Sequence, residues 1–287
     1  MIRYGQLFLL LWSTTALAAQ APNPNDRFAN VTIEAQQLRP GIHMLTGAGG
    51  NIGVSSGEDG LLLIDDQFAP LAKRIEAALA EIQPGPVRFV INTHHHGDHT
   101  GGNAHFGRDG TVFAHHNVLK HLKADPKVSP EQWPVVTFDD GIEVHFNGQR
   151  IRVIHLGAGH TDGDALVWFE EQGVLHMGDL FFKDRFPYVD QTHGGTVRGY
   201  TERVREALRW TDDQTLIIPG HGDLANKADL SRFLTMLEDS LRWAESMKGQ
   251  PKDAWHAAGM PEAYRDWSWS FISETRWIDT LWREMEE

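Results

Sequence analysis

The pattern of apolar and polar positions divides the chain into two β-rich blocks, each followed by helical segments. In both blocks, short β-prone segments alternate with Gly-rich turns, which predicts antiparallel strands joined by hairpins. The predicted strands of the first block are 31–37, 42–46, 51–56 and 61–64, and those of the second are 142–146, 151–156, 165–169 and 174–177. Asn147-Gly148 is a strong signal for a two-residue hairpin turn. The Gly-rich segment 47–50 is compatible with either a mobile flap or a plain hairpin.

Apolar residues at helical spacing predict helices outside these blocks. The predicted helices are 71–82, 115–123, 197–210 and 228–248. Two apolar runs, 87–91 and 215–218, predict buried strands that belong to neither meander. Two β blocks with helices around them predict an α/β protein of two packed sheets with helices on the outside. We expect one domain over residues 22–287, ending in a helical extension whose aromatic residues serve packing.

The first residues have the pattern of a secretory signal peptide. Arg3 precedes an apolar run from Leu7 to Ala18, and Ala16-Leu17-Ala18 fits a small-x-small cleavage site. We predict a signal peptide at 1–18, with cleavage as late as residue 21 as the alternative. The run is short for a membrane span, so a retained anchor is the less favoured interpretation. The mature protein is therefore expected to be periplasmic or secreted, without stable membrane insertion.

Charge and cysteine content narrow the classes of function. The formal net charge is −13 and no basic run occurs, which argues against nucleic acid and leaves a small molecule as the expected partner. The oligomeric state has no signal in the sequence. The chain contains no cysteine, so it forms no disulfide and offers no thiolate as a nucleophile or metal ligand.

The stretch 93–103, with the sequence THHHGDHTGGN, carries the strongest chemical signal. His94, His96, Asp98 and His99 lie within six residues directly after a predicted buried strand. Neither a regular helix nor a strand would aim all four side chains at one point, so we predict a tight Gly-rich loop. Imidazole and carboxylate groups suit zinc and related divalent metals. A solvated His-rich turn is the alternative, which the ordered spacing disfavours.

Three later segments repeat the arrangement of a strand, a glycine and a potential ligand. They end on His160, Asp179 and His221, and for Asp179 a turn or helix-cap role is the alternative. His155 and His176 lie within strands and are expected to point elsewhere. The histidines at 115, 116 and 121 are expected to serve surface or packing roles. Grouped by position, the candidates form two sets with Asp179 as the bridge. One set is His94, His96 and His160, and the other is Asp98, His99 and His221.

These residues resemble the metallo-β-lactamase fold superfamily over nearly the whole mature chain. The motif of His94, His96, Asp98 and His99 is similar to its hallmark, and His160, Asp179 and His221 match its later ligands in order. The resemblance implies an αββα four-layer sandwich of two mixed sheets flanked by helices, with metals at the sheet edges. Cysteine-using lactamases place Cys at the position of Asp179 and a drug-binding Lys at that of Phe182, so the β-lactam-binding cation is missing from its usual place.

The ligand set and the resemblance together predict a hydrolase with two zinc ions per chain, with iron as the alternative metal. The expected mechanism is attack of a metal-bound hydroxide, oriented by Asp98, on an amide, ester or thioester carbonyl, in a β-lactam or lactone for example. Two other enzyme classes stay open, a thioester hydrolase like glyoxalase II and a mononuclear iron persulfide dioxygenase, as does a protein that binds without turnover. Trp133, Lys183 and Arg185 are candidate substrate contacts.

Overall fold

The structure, a computed structural model, describes residues 27–286, and this part of the chain contains two β-sheets packed face to face. The predicted signal peptide at 1–18 and its cleavage site lie outside the described residues. Residues 27–30 form a turn, and the chain from Val31 onward is one compact unit. None of the helices in residues 27–286 combines the length and the hydrophobicity that a membrane span requires.

The first sheet has seven strands that follow one another in chain order. Its first four strands pair antiparallel, as the meander prediction required, and the last four pair in parallel. The strands are β1 (Glu34–Arg39), β2 (Ile42–Thr46), β3 (Ile52–Gly57), β4 (Gly60–Ile64), β5 (Val87–Ile91), β6 (Thr111–His115) and β7 (Val136–Phe138). Segment 47–50 joins β2 and β3, which pair antiparallel, so it forms the connection of a hairpin.

The second sheet has six strands in the spatial order β13-β12-β11-β10-β9-β8. The strands are β8 (Gly141–Phe146), β9 (Gln149–Ile154), β10 (Leu166–Phe169), β11 (Val174–His176), β12 (Leu216–Ile218) and β13 (Ala225–Asn226). Asn147 and Gly148, between β8 and β9, both adopt positive φ angles of 54° and 68°. A two-residue type I′ hairpin requires such angles, so the hairpin prediction is confirmed. Strands β11 and β12 pair in parallel, which makes this sheet mixed as well.

Helices cover the outer faces of both sheets. The helices of the described chain are α1 (Ala72–Ile82), α2 (Gly97–Thr100), α3 (Asn103–Phe106), α4 (His116–Ala124), α5 (Val197–Leu208), α6 (Lys227–Met247), α7 (Lys252–Ala258) and α8 (Glu274–Glu286). Val118 and Leu122 pack α4 against Ala114 of β6 in the first sheet. On the second sheet, α5 to α8 bury their apolar faces against Leu175 and Ile217. This α/β sandwich confirms the predicted fold class.

The core between the sheets is built from inward-facing aliphatic side chains. Ile42 and Ile64 of the first sheet belong to one buried cluster with Val153, Val167 and Ile218 of the second. Burying such a side chain contributes roughly 1.5–3 kcal/mol. The core therefore fixes how the two sheets face each other, and with them the loops at their edges.

One local prediction was incomplete, and two short strands were not predicted. Stretch 93–103 is not all loop, because Gly97–Thr100 forms one helical turn. Strand β7 was missed because it is an exposed edge strand, and β13 because it is only two residues long. Such short edge strands are fixed by the neighbouring strand rather than by their own sequence, which has no alternating pattern to detect.

Candidate metal centre

Three histidines from different parts of the chain form the first donor set. The Nδ1 atom of His96 lies 3.0 Å from His94 Nε2 and 3.0 Å from His160 Nε2. His94 and His96 follow β5, whereas His160 comes from the loop between β9 and β10. Three ring nitrogens this close together can bind a single cation.

The second donor set contains Asp98, His99 and His221. His221 Nε2 lies 3.4 Å from Asp98 Oδ2, and His99 Nε2 lies 3.8 Å from the same oxygen. The helical turn α2 carries Asp98 and His99, and His221 follows β12 of the other sheet. This set is again drawn from the edges of both sheets.

Asp179 lies between the two sets and turns one oxygen toward each. Its Oδ2 is 3.8 Å from His94 Nε2 and 3.5 Å from His160 Nε2. Its Oδ1 is 3.1 Å from His99 Nε2 and 3.4 Å from His221 Nε2. A carboxylate with this division of contacts can bridge two cations.

The donor atoms fit metal ions in their chemistry as well as in their positions. The Nε2 of His99 and the Oδ1 of Asp179 lie 3.1 Å apart, yet neither atom makes a hydrogen bond with suitable geometry. Buried polar atoms are normally satisfied, so both remain available as donors to a cation. The donor atoms of the first set and Asp179 all lie within 4.8 Å of one another, and the same is true of the donor atoms within the second set. The structure thus brings together all seven residues, and their role as metal ligands stays a prediction.

Each histidine of the first set is held by a hydrogen bond on its other ring nitrogen. His160 Nδ1 donates to the carbonyl oxygen of Tyr188 at 2.8 Å, and His96 Nε2 lies 2.9 Å from Asp190 Oδ2. His94 Nδ1 is 3.1 Å from the Thr93 hydroxyl oxygen. Such partners fix the ring orientation and leave the opposite nitrogen available to a metal.

Asp65 performs the same task for the second set, and sequence reasoning missed it. Its Oδ2 lies 2.7 Å from His99 Nδ1, while Oδ1 accepts a hydrogen bond from the Thr93 backbone N–H at 2.7 Å. Asp65 is fully buried and adopts a positive φ of 64°, which is uncommon for aspartate. A signal was present, because the apolar strand β4 ends directly on Asp65 and Asp66, the same strand-to-ligand arrangement used elsewhere.

The protonation states suit cation binding. Burial lowers the pKa of His94 well below its usual value and that of His160 to about 3, so both rings are neutral, as metal ligands must be. Burial also opposes charge on His99, but the carboxylates of Asp179 and Asp65 outweigh it and raise the pKa of His99. Burial opposes ionisation of Asp179, yet His99, with other histidines, keeps its pKa well below the usual value. A cation bound here would take the place of the proton on His99.

Glycines allow the backbone to approach the donors closely. A Cβ atom added at Gly50 would overlap the His99 ring, and one added at Gly220 would overlap Asp179 Oδ1. The Gly50 N–H also donates to the Asp98 carbonyl oxygen at 3.2 Å, which ties the β2–β3 hairpin to α2. The hairpin is therefore part of the wall that holds the second donor set.

The remaining histidines mostly have the packing roles predicted for them. His155 Nδ1 donates to the Asp164 carbonyl oxygen at 2.7 Å, and both ring nitrogens of His176 are occupied by backbone partners. His115 caps α4, and His116 pairs with an exposed aspartate. His121 lies nearer to the centre than predicted, because its ring is 4.7 Å from the ring of His95, the middle histidine of the motif.

The three candidate substrate contacts have different positions. Trp133 packs with the cluster under α4, and the described ring contacts and hydrogen bonds do not join it to the seven donors. The Lys183 ammonium donates to the Leu224 carbonyl oxygen at 2.8 Å and lies 3.3 Å from Asp229 Oδ2, so it is already engaged. Only Arg185 remains near the centre, with its guanidinium 5.1 Å from the ring centroid of Trp269.

The fold and the donor arrangement agree with the family comparison. A family model described as the metallo-beta-lactamase superfamily matches residues 45–221, which include all seven donors. The chain belongs to this superfamily, and the resemblance drawn from its motifs is confirmed. Residues beyond 221, with helices α6 to α8, lie outside the match.

Individual relatives include enzymes with different activities. The metallo-beta-lactamase type 2 of Bacillus sp. (strain 170) is 24% identical over 180 residues, 62% of this chain and 69% of that protein. The hydroxyacylglutathione hydrolase of Methylococcus capsulatus is 32% identical over 93 residues, 32% of this chain and 33% of that protein. The solved metallo-beta-lactamase from Pontibacter korlensis has a TM-score of 0.62 at 21% identity and covers 72% of this chain and all of its own. At that identity the structural likeness concerns the fold alone.

Proposed function

We propose that this protein is a two-metal hydrolase, with zinc as the metal, that cleaves an amide, ester or thioester bond of a small molecule outside the cytoplasm. The observation that carries the proposal is the position of Asp179, whose two oxygens face two separate donor sets. The buried, unpartnered atoms of His99 and Asp179 support it, because they leave donors available for a cation. The signal-peptide pattern of the first residues supports export.

The cations would polarise the substrate carbonyl and acidify a water molecule. The side chains define the rest of the chemistry. Asp98 is the donor with the most exposed side chain, at 24%, so it can hold a water molecule on the open side and accept its proton. Asp179 is buried and charged, and it keeps the two donor sets at a fixed separation. The neutral rings of His94 and His160 hold their positions through their hydrogen bonds rather than through charge.

The surroundings of His221 support a substrate other than a typical β-lactam. Phe182, at the position of the drug-binding lysine, is 1% exposed and stacks on His221 with ring centroids 5.0 Å apart. The neighbouring Lys183 is engaged by Leu224 and Asp229. A missing charge-assisted contact costs roughly 1.5–3 kcal/mol, or about one to two powers of ten in affinity. We therefore expect β-lactam turnover to be weak or selective.

A thioester hydrolase is the second candidate. It is supported by the likeness to the hydroxyacylglutathione hydrolase and by a bridging carboxylate in place of a thiolate. An iron persulfide dioxygenase needs one metal and would leave the second donor set unused. The buried, unpartnered His99 Nε2 belongs to that second set, which argues against this third class.

The test combines metal content with a substrate panel. Protein purified without added metal should contain two divalent ions per chain, zinc above all, by elemental analysis. The zinc-loaded enzyme is then assayed with a cephalosporin, a lactone and a thioester, using wild type, Asp179→Ala and Asp139→Asn. Asp139 is an exposed partner of His116 and serves as the matched control. We expect Asp179→Ala to abolish hydrolysis and Asp139→Asn to retain it.

Three results would contradict the proposal. One is a stoichiometry of a single iron per chain, which favours the dioxygenase. Another is hydrolysis that survives Asp179→Ala, which removes the bridge from the mechanism. The third is a full complement of zinc without turnover of any ester, amide or thioester, which indicates binding without catalysis.

A further inference from the structure

A row of aromatic rings extends from the metal centre toward solvent. The ring of Tyr188 lies 5.6 Å from that of His96 and 5.8 Å from that of His160, measured between centroids. The next ring, Phe271, is 5.5 Å from Tyr188 and has 48% of its surface exposed. The row therefore begins at the first donor set and ends at the protein surface.

A second ring approaches from the other donor set. Trp269 lies 5.8 Å from His221 and 5.6 Å from Phe271. Its indole N–H donates to the Phe186 carbonyl oxygen at 2.9 Å, which fixes the ring in this position. Tyr188, Trp269 and Phe271 thus form one continuous surface beside both donor sets, called here the aromatic wall. Sequence analysis assigned Trp269 and Phe271 to packing, which is incorrect for Phe271 because of its exposure.

Two guanidinium groups lie over this wall. Arg276 is 4.5 Å from the ring centroid of Phe271 and 5.3 Å from that of Tyr188, and Arg185 is 5.1 Å from that of Trp269. Their hydrogen bonds go to backbone carbonyl oxygens, of Phe271 and Lys183 respectively. Among residues 27–286, neither arginine has a carboxylate partner within ion-pair distance.

Unpaired arginines are notable in a chain with 39 acidic and 26 basic residues. Stacking on an aromatic face holds a guanidinium through cation–π attraction while its N–H edge stays free. That edge matches the two oxygens of a carboxylate, sulfonate or phosphate group. The aromatic faces between the arginines and the donors offer apolar contact to a flat group.

We propose that the aromatic wall, Arg276 and Arg185 bind a substrate that carries an anionic group next to a flat apolar group. The anionic group pairs with Arg276 or Arg185, and the apolar group lies on Tyr188 and Trp269. This arrangement directs the bond to be cleaved toward the two donor sets. The proposal rests on the proposed function, because the aromatic wall can be a substrate site only if the neighbouring donor sets carry out hydrolysis. Trp269, Phe271 and Arg276 lie outside the family match, whereas Tyr188 and Arg185 lie within it, so the extension supplies only part of this site.

Binding is tested with a matched pair of ligands that differ in charge, 2-naphthoate and 2-naphthamide. Dissociation constants are measured by calorimetry on the zinc-loaded full-length protein. The variants are Arg276→Gln, Arg276→Lys and the double variant Arg276→Gln with Arg185→Gln. Arg265→Gln is the control, because Arg265 is an exposed cation of the same extension that pairs with Glu262. Metal content is measured on every variant.

We expect Arg276→Gln to weaken naphthoate binding about 10-fold and the double variant about 100-fold, with naphthamide affinity and metal content unchanged. Arg276→Lys should recover part of the loss. Equal naphthoate affinity in wild type and the double variant would overturn the proposal, since the carboxylate then binds elsewhere. An equal loss for both ligands would overturn it as well, because it indicates a disturbed fold rather than a lost charge contact.

The binding assay separates this proposal from the proposed function. Selective loss of naphthoate affinity in a protein without hydrolytic activity supports the aromatic wall and contradicts the hydrolase. A second experiment measures KM for an anionic and a neutral ester in wild type and in the double variant. If both proteins hydrolyse the esters and the ratio of the two KM values is the same, the result supports the hydrolase and contradicts the proposed role of the aromatic wall.

Discussion

Asp190 Oδ2 lies 2.9 Å from His96 Nε2, so the other ring nitrogen of His96 faces His94 and His160. Asp190 also accepts hydrogen bonds from the Thr192 hydroxyl at 2.6 Å and from His193 Nδ1 at 2.7 Å. Burial opposes its ionisation, but these hydrogen bonds hold the pKa of Asp190 well below its usual range. A charged carboxylate therefore orients His96 without belonging to either donor set.

Replacing Asp190 with Asn should weaken metal binding at the first donor set, because the amide is a poorer and neutral acceptor for the His96 N–H. Loss of such an orienting carboxylate typically costs 10–100-fold in metal affinity. Competition with a chromophoric chelator measures the effect, with Asp184→Asn as the control, since Asp184 is an exposed partner of Arg232. Unchanged affinity in Asp190→Asn would show that His96 needs no such support.

His96→Ala and His221→Ala should each remove one metal from the protein. His96 contributes to the first donor set and His221 to the second, and only Asp179 is shared. Elemental analysis after dialysis is expected to give about one ion per chain for either variant. Full occupancy in His221→Ala would mean that the second set does not depend on that ring.

Gly50→Ala should destabilise the protein because the added methyl group overlaps the His99 ring. Overpacking of this kind costs roughly 1–3 kcal/mol, and here it also displaces a metal donor. Gly97→Ala is the control, since a Cβ atom there meets open space. Denaturant unfolding compares the two, and equal free energies of unfolding would mean that the hairpin moves aside without cost.

Asp164 should make stability depend on pH between about 4 and 7. Burial raises its pKa from 3.8 to about 7 in the folded chain, although hydrogen bonds from Thr161 oppose the shift. Between these values the folded state holds a proton that the unfolded state has released, so the contribution of Asp164 to stability is lost as the pH rises toward 7. Between pH 4 and pH 7, the free energy of unfolding should decrease less for Asp164→Asn than for wild type. Identical pH profiles would contradict the shifted pKa.

The exported protein should begin just after one of residues 18 to 21. The order of Arg3, an apolar run and a small-x-small site is the reason for this expectation. N-terminal sequencing of protein recovered from the periplasm tests it. An intact Met1 on protein isolated from the cytoplasm would contradict export.

The donors were predictable because each comes after an apolar strand, and His160, Asp179 and His221 each directly follow a glycine. This local pattern is readable without the fold. The partners of the donors were less accessible. Asp190 lies 94 residues from His96 and follows no strand, so only the folded chain reveals their contact. Phe271 was misassigned for a related reason, since an aromatic residue in a helical extension usually packs inward, and nothing local distinguishes one that stays exposed.

Metal binding by the seven donors would affect the stability of the whole chain, because the donors come from both sheets. His94 to His99 belong to the edge of the first sheet, whereas Asp179 and His221 follow strands of the second. Metal ions bound by both would act as cross-links between two halves of a chain that has no cysteine to join them covalently. Such a link strengthens with the free metal concentration, unlike a disulfide, so the environment would set how firmly the sandwich is closed.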